Sequence, residues 1–121
     1  MALSTTPQPA PLAAILVDQT SATATADDNA TGSSGSWYLV DIDNTANGAA
    51  TYVKIYDDAA PSVGTTEPNW VFMAPASTRV VYSVSTAVAF ATALSFCAVT
   101  TPGRGGTTSP TSAVPVRIMA T

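Results

Sequence analysis

Ser36-Trp37-Tyr38-Leu39-Val40-Asp41-Ile42-Asp43 and Ala50-Thr51-Tyr52-Val53-Lys54-Ile55-Tyr56-Asp57 are two runs rich in β-branched and aromatic residues, separated by Asn44-Thr45-Ala46-Asn47-Gly48-Ala49. Such side chains suit a pleated, half-buried surface. An Asn-Gly pair between two such runs is a strong short-range signal for a β-hairpin. The reading is therefore an antiparallel hairpin over 36–57. Two-residue periodicity puts Tyr38, Val40 and Ile42 on one face of its first strand, and Val53 and Ile55 on one face of its second. These sets are expected to meet the core. Trp37, Leu39, Asp41 and Asp43 then share a mixed opposite face, open to a neighbour.

Outward from this centre the chain reads as more short strands. Leu12–Gln19 is one, and the Thr/Ala alternation of Ser21–Ala26 predicts a second with small side chains. The turn-rich stretch Asp27–Gly35 is a loop. On the other side, Asp58–Pro68 is a long connection, followed by strands at Asn69–Ala74, Ser77–Val84, Val88–Phe90 and Leu94–Thr101. A glycine-rich loop, Pro102–Gly106, precedes the last run, Ala113–Met119, where Pro115 demotes the strand to an edge or marks a bulge. Gly64-Thr65-Thr66-Glu67-Pro68 and Gly106-Thr107-Thr108-Ser109-Pro110 echo each other as G-T-T-x-P. No segment carries a sustained helical stripe. The expected fold is all-β: one antiparallel β-sandwich of seven to nine short strands over 12–121, with the jelly roll among its candidate forms. Residues 1–11 carry Pro7, Pro9 and Pro11 and read as an extended N-terminal arm.

Composition narrows the chemistry. Charged residues make up 10% of the 121, where soluble domains average about 25%, and Thr, Ser and Ala fill the gap. A surface of this kind is cheap to desolvate against a partner, because few full charges must lose their water. The net charge of −4, with Lys54, Arg79, Arg104 and Arg117 far apart in sequence, argues against nucleic acid. The chain has no histidine and a single cysteine, Cys97, in an apolar run. Histidine-dependent triads, Cys/His zinc sites and intrachain disulfides are thereby excluded. The missing disulfides favour folding in a reducing cytoplasm. The first residues lack the basic and apolar regions of a signal peptide. The uncharged stretch from Val80 to Thr101 is long enough to span a bilayer, but its polar punctuation favours strand–turn–strand over a membrane helix.

Asp41, Asp43 and Asn44 lack the register of a calcium loop, and Gly103-Arg104-Gly105-Gly106 lacks the lysine and helix of a phosphate loop. No acid–base pair or nucleophile has support from its neighbours, so no enzyme activity, metal or cofactor is expected. Trp37 and Trp70 are candidates for a partner contact or for stacking on sugar rings.

The phrases "SWYLVDIDNTANGAATYVKIYD", "VGTTEPNWVFMAPASTRV" and "AFATALSFCAVTTPGRGGTTSPTSAVPVRI" resemble small virion proteins of tailed bacteriophages, including cyanophages. The resemblance covers about two-thirds of the chain and rests on texture, without a diagnostic motif. It implies a capsid decoration (cement) protein, made in the host cytoplasm and bound to the outside of the major capsid protein shell as a homotrimer. It also implies an arm that reaches the shell or a neighbouring subunit. Pro7, Pro9, Pro11, Trp37, Leu39 and Trp70 are then the expected partner contacts, and part of the mixed face lies in the trimer interface. The competing expectation is a receptor- or carbohydrate-binding module of a tail fibre or spike, which requires Trp37 or Trp70 on an exposed platform.

Overall fold

The β-rich runs become strands, but most of them pair with distant partners and not with their sequence neighbours. The computed structural model describes residues 15–121, so the arm prolines and the boundary after residue 11 lie outside the described residues. Within them the chain forms β1 (Ile15–Gln19), β2 (Gly35–Asp43), β3 (Thr51–Asp57), β4 (Trp70–Ala74), β5 (Arg79–Phe90), β6 (Leu94–Val99) and β7 (Val116–Ala120). A four-stranded antiparallel sheet has the order β1-β7-β2-β5, and a three-stranded one has the order β4-β3-β6. The two sheets pack face to face as an all-β sandwich. Val40, Ile42, Val116 and Ile118 from one sheet and Val53, Ile55, Phe96 and Ala98 from the other share a single buried core.

The expected hairpin over 36–57 is not formed: β2 lies in the larger sheet and β3 in the smaller. A two-residue type I′ turn needs positive φ at both central residues, and neither Asn47 nor Gly48 has it. The connection instead crosses between the sheets and is braced from within. Asn44 is fully buried. Its side-chain amide donates to the carbonyls of Ala49, Ala74 and Pro75 at 2.9, 3.2 and 3.0 Å. Its oxygen accepts from the Thr51 hydroxyl at 2.8 Å. Asn47 pairs with the backbone of Ser112 in both directions, donating at 3.2 Å and accepting at 2.8 Å.

Other expectations change for local reasons. β2 carries one extra residue, Tyr38, between pairs Trp37–Ala120 and Leu39–Met119. This bulge breaks the alternation, so Trp37 turns inward beside Val40 and Ile42 in place of Tyr38. Ser77–Val84 and Val88–Phe90 merge into the single strand β5, which turns the Val80–Thr101 stretch into β5, a short turn and β6. Pro115 does not mark an edge: β7 is interior, between β1 and β2. The proline sits one residue before β7, where its missing N–H interrupts no ladder, and its carbonyl accepts from Asp43 N at 2.9 Å.

Ser21–Ala26 is not a strand either. Its small side chains bury too little surface to hold a regular ladder, and the segment follows β6 through scattered bonds. Ala98 N donates to Thr23 O, Asp27 and Phe96 exchange backbone bonds, and Ala30 N donates to Leu94 O. Residues 22–30 thereby cover the outer edge of β6, so every residue of β6 is buried.

The outer face of the smaller sheet is roofed by loops. Tyr56, Cys97 and Val99 form a second buried cluster under Ala24, Ala26 and Val63. Burial pushes both the Tyr56 phenol and the Cys97 thiol up, so neither is ionised at neutral pH. Lys54, fully buried, donates its ammonium to the carbonyls of Gly103, Gly106 and Arg104 at 2.5, 3.0 and 3.4 Å. The two G-T-T-x-P loops meet at this roof. Gly64, at φ +96°, leaves room for Thr107 Cγ2, which would stand 2.6 Å from an added Cβ. Replacing Lys54 by methionine keeps the stem and strands three carbonyls. A loss of about 2 kcal/mol is expected, with faster amide exchange over 101–108, measurable by urea unfolding and hydrogen exchange.

Candidate interaction surface

Among the described residues, no loop roofs the outer face of the larger sheet in this way. Alternation along each strand sends Leu16 and Asp18 of β1, Arg117 and Met119 of β7, Leu39, Asp41 and Asp43 of β2, and Arg79, Val81 and Ser83 of β5 to this side. The registers align them in rows. Leu16, Met119, Leu39 and Ser83 are successive cross-strand partners, and so are Asp18, Arg117, Asp41 and Val81. The first row is an apolar bar across three strands. Leu16 and Val81 are 58% and 54% exposed, high for side chains of their size, while Leu39 and Met119 are half-buried.

Charges border the bar in matched pairs. Arg79 grips Asp41 through two bonds, Nε to Oδ1 at 2.9 Å and Nη2 to Oδ2 at 2.5 Å. Arg117 Nε lies 3.4 Å from Asp18 Oδ1. Exposed pairs of this kind add little to stability, but they neutralise the border and leave the face without a strong field of either sign. Beside them a shallow cleft of about 320 Å³ is lined by Asp18, Thr20, Asp41, Asp43, Arg79, Pro115 and Arg117. Among the described residues no cluster of three acidic, cysteine or histidine side chains is placed to hold a metal.

The residues expected at a partner contact are divided by the fold. Leu39 lies in the apolar bar. Trp37 is 3% exposed and packs edge-on against Trp70 and Phe72, with ring centroids 5.9 and 5.4 Å apart. Trp70 is half-buried against the core. Neither indole stands on an exposed platform. Pro7, Pro9 and Pro11 lie outside the described residues. Sequence reading missed Leu16, Val81 and Met119, whose shared face depends on β1 and β7 being neighbours. It also missed Val71 and Met73, which β4 exposes on the smaller sheet at 40% and 42%. No protein-family model, curated protein or solved structure matches the chain.

Two carboxylates at strand ends respond to acid. Backbone N–H groups of Ala91, Thr92 and Ala93 hold the Asp57 carboxyl below its ordinary value of 3.8. The Thr45 hydroxyl and backbone N–H do the same for Asp43. A carboxyl depressed in the folded state stabilises the fold above its unfolded value and loses that contribution as pH falls through the folded one. Stability should therefore be flat above pH 5 or so and decline below the ordinary aspartate value. Asp57→Asn should remove part of that decline, as read from urea midpoints across an acid series.

Proposed function

We propose that this chain is a structural protein of a phage virion: a decoration (cement) protein that binds the outside of the major capsid protein shell as a homotrimer. The uncovered face of the larger sheet carries this reading. Its apolar bar of Leu16, Met119 and Leu39, with exposed Val81 in the next row, gains by leaving water, at roughly 25 cal/mol per Å² buried. Four of its five charges are already paired, Arg79 with Asp41 and Arg117 with Asp18, so contact strips few free ions. The sparse charge of the whole surface points the same way, and the resemblance to phage virion proteins supplies the particle. In this reading the protein carries no catalytic site and meets neither nucleic acid nor membrane.

The strand order also supports a finer description of the sandwich as a jelly roll. In that fold the first strand lies beside the last, and the chain passes from sheet to sheet at nearly every connection. Here β1 pairs with β7, and the connections β2–β3, β4–β5, β5–β6 and β6–β7 all change sheets, while β1–β2 and β3–β4 do not. Residues 22–30, running beside β6, occupy the place of the eighth strand. Trp37 and Trp70 point into the sandwich, which disfavours the glycan-binding alternative.

The test is the protein in place on its particle. A cryo-EM map with mass-based copy counting should find it in regular array over the head. A handful of copies per virion, or density at the tail alone, would falsify the reading. Val81→Glu, on the exposed face, should leave the fold intact and reduce occupancy on the head at least tenfold.

A further inference from the structure

The chain has four asparagines, and Asn47 alone precedes a glycine. That pair carries a chemistry of its own. The peptide nitrogen that follows an asparagine can attack the side-chain carbonyl carbon, and a glycine there has no Cβ to obstruct the approach. Gly48 is exposed, and a Cβ built on it would meet nothing within 4 Å. Among the described residues no hydrogen-bond acceptor takes its N–H. The nucleophile is open.

The electrophile is not. Asn47 is buried, and its side chain meets one residue twice. Ser112 N donates to Oδ1 at 2.8 Å, and Nδ2 donates to Ser112 O at 3.2 Å. The backbone is held as well. Asn47 N donates to Asn44 O at 3.2 Å, and Asn47 O accepts from Ser77 N at 2.8 Å. The Ser112 clamp keeps the amide flat and its leaving nitrogen engaged, whereas attack requires the carbon to become tetrahedral. The Ser77 bond fixes the peptide plane that contains the Gly48 nitrogen, and that plane must swing to reach the carbon. Asn47 and Ser112 are sixty-five residues apart, so the clamp belongs to the folded chain only.

We propose that Asn47-Gly48 is a self-modification site, silenced by the Ser112 clamp and released whenever the clamp opens. The reaction consumes water alone. Gly48 N gives up its proton and bonds to Asn47 Cγ. The Cγ–Nδ2 bond breaks, and the amide leaves with a proton as ammonia. Water then opens the five-membered imide at either carbonyl carbon. The product is aspartate, or its isomer with the main chain running through Cγ. A cleft of about 310 Å³ lined by Asn47, Gly48, Thr100 and Ser112 admits the water. Neither product restores the clamp, because a carboxylate has no N–H to give to Ser112 O. Conversion adds one negative charge to the net −4 of the chain and frees the segment around Ser112 from the β2–β3 crossing. A transient opening thereby becomes permanent.

Peptide mass spectrometry, which resolves the exchange of the side-chain NH2 for OH, tests this on the full-length chain at mildly alkaline pH. Asn47 should convert at least tenfold more slowly in the folded protein than in the chain unfolded by guanidinium. Below the unfolding transition the rate should rise with denaturant in step with hydrogen exchange at the Ser112 amide, which reports opening of the clamp. Gly48→Ala adds a methyl that the fold accommodates without contact. It should leave folding intact and slow conversion at least tenfold in the unfolded chain. Converted protein, separated by its added charge, should have lost protection at the Ser112 amide. Equal rates in the folded and unfolded chains overturn the proposal. So does faster conversion at Asn29, Asn44 or Asn69, an unfolded chain indifferent to Gly48→Ala, or a converted protein whose Ser112 amide stays protected. None of these results bears on whether the protein coats a phage head.

Discussion

Trp37→Ala is expected to cost about 4 kcal/mol and to lower Tm by on the order of 15 °C, the largest effect of any single truncation in the core. The indole is almost fully buried and closes an edge-on aromatic group with Trp70 and Phe72. Phe72 in turn packs, tilted, at 5.0 Å against Tyr82 of β5, so the aromatic group links three strands. Truncation would leave a cavity that these rings, held by both sheets, cannot collapse to fill. The indole N–H has no partner among the described residues, and a buried donor left unpaired is itself unfavourable. Trp37→Phe should therefore be much milder, about 1–2 kcal/mol, because part of the lost packing is offset by removing that donor. Calorimetry on the two variants checks both numbers. Equal losses would show that the aromatic contacts are not what Trp37 contributes.

Asn44→Ala is expected to cost about 3 kcal/mol, and Asn44→Asp more than that. Alanine strands three carbonyls and the Thr51 hydroxyl inside the corner where the chain changes sheets. Aspartate adds an acceptor, charged at neutral pH, that faces the carbonyl oxygens of Ala49, Ala74 and Pro75. Its variant should recover stability as pH falls and the carboxyl takes up a proton, the opposite of the wild-type trend. Asn47→Ala, with two bonds to Ser112 in a shallower position, should lose only about 1–2 kcal/mol. Urea unfolding of the three variants at pH 7 and pH 4 separates these outcomes. A neutral Asn44→Ala would mean that the crossing is held by its flanking strands alone.

The contrast between Asn44 and Asn47-Gly48 explains how far the sequence could be read. Composition and alternation located the runs that became β2, β3, β4 and β6, because a half-buried strand leaves a local mark. Which strands lie side by side leaves none. Asn47-Gly48 says that the chain turns, but a turn back onto the same sheet and a turn onto the opposite one use the same residues. The choice was made by Asn44, whose partners Ala74 and Pro75 lie thirty and thirty-one residues away. The expected face of Trp37 failed for a related reason. One extra residue at Tyr38 inverts everything before it, and bulges have no sequence signature when no glycine marks them. The apolar bar was illegible in the same way, since Leu16, Leu39 and Met119 become neighbours only through the β1-β7-β2 order. Leu39 alone was anticipated, from its place on the mixed face of β2.

The interior position of β7 has a consequence for synthesis. Among the described strands β1 is made first, and its one neighbour in the sheet is β7, which is made about a hundred residues later. While the chain is growing, β1 is unpaired and β2 has an open flank where β7 will lie. Leu16 and Leu39 are then separate residues on separate strands. Only insertion of residues 116–120 brings Leu16, Met119 and Leu39 into one surface. The apolar bar is thus a property of the finished chain, and an unfinished one has nothing there with which to engage a partner too early.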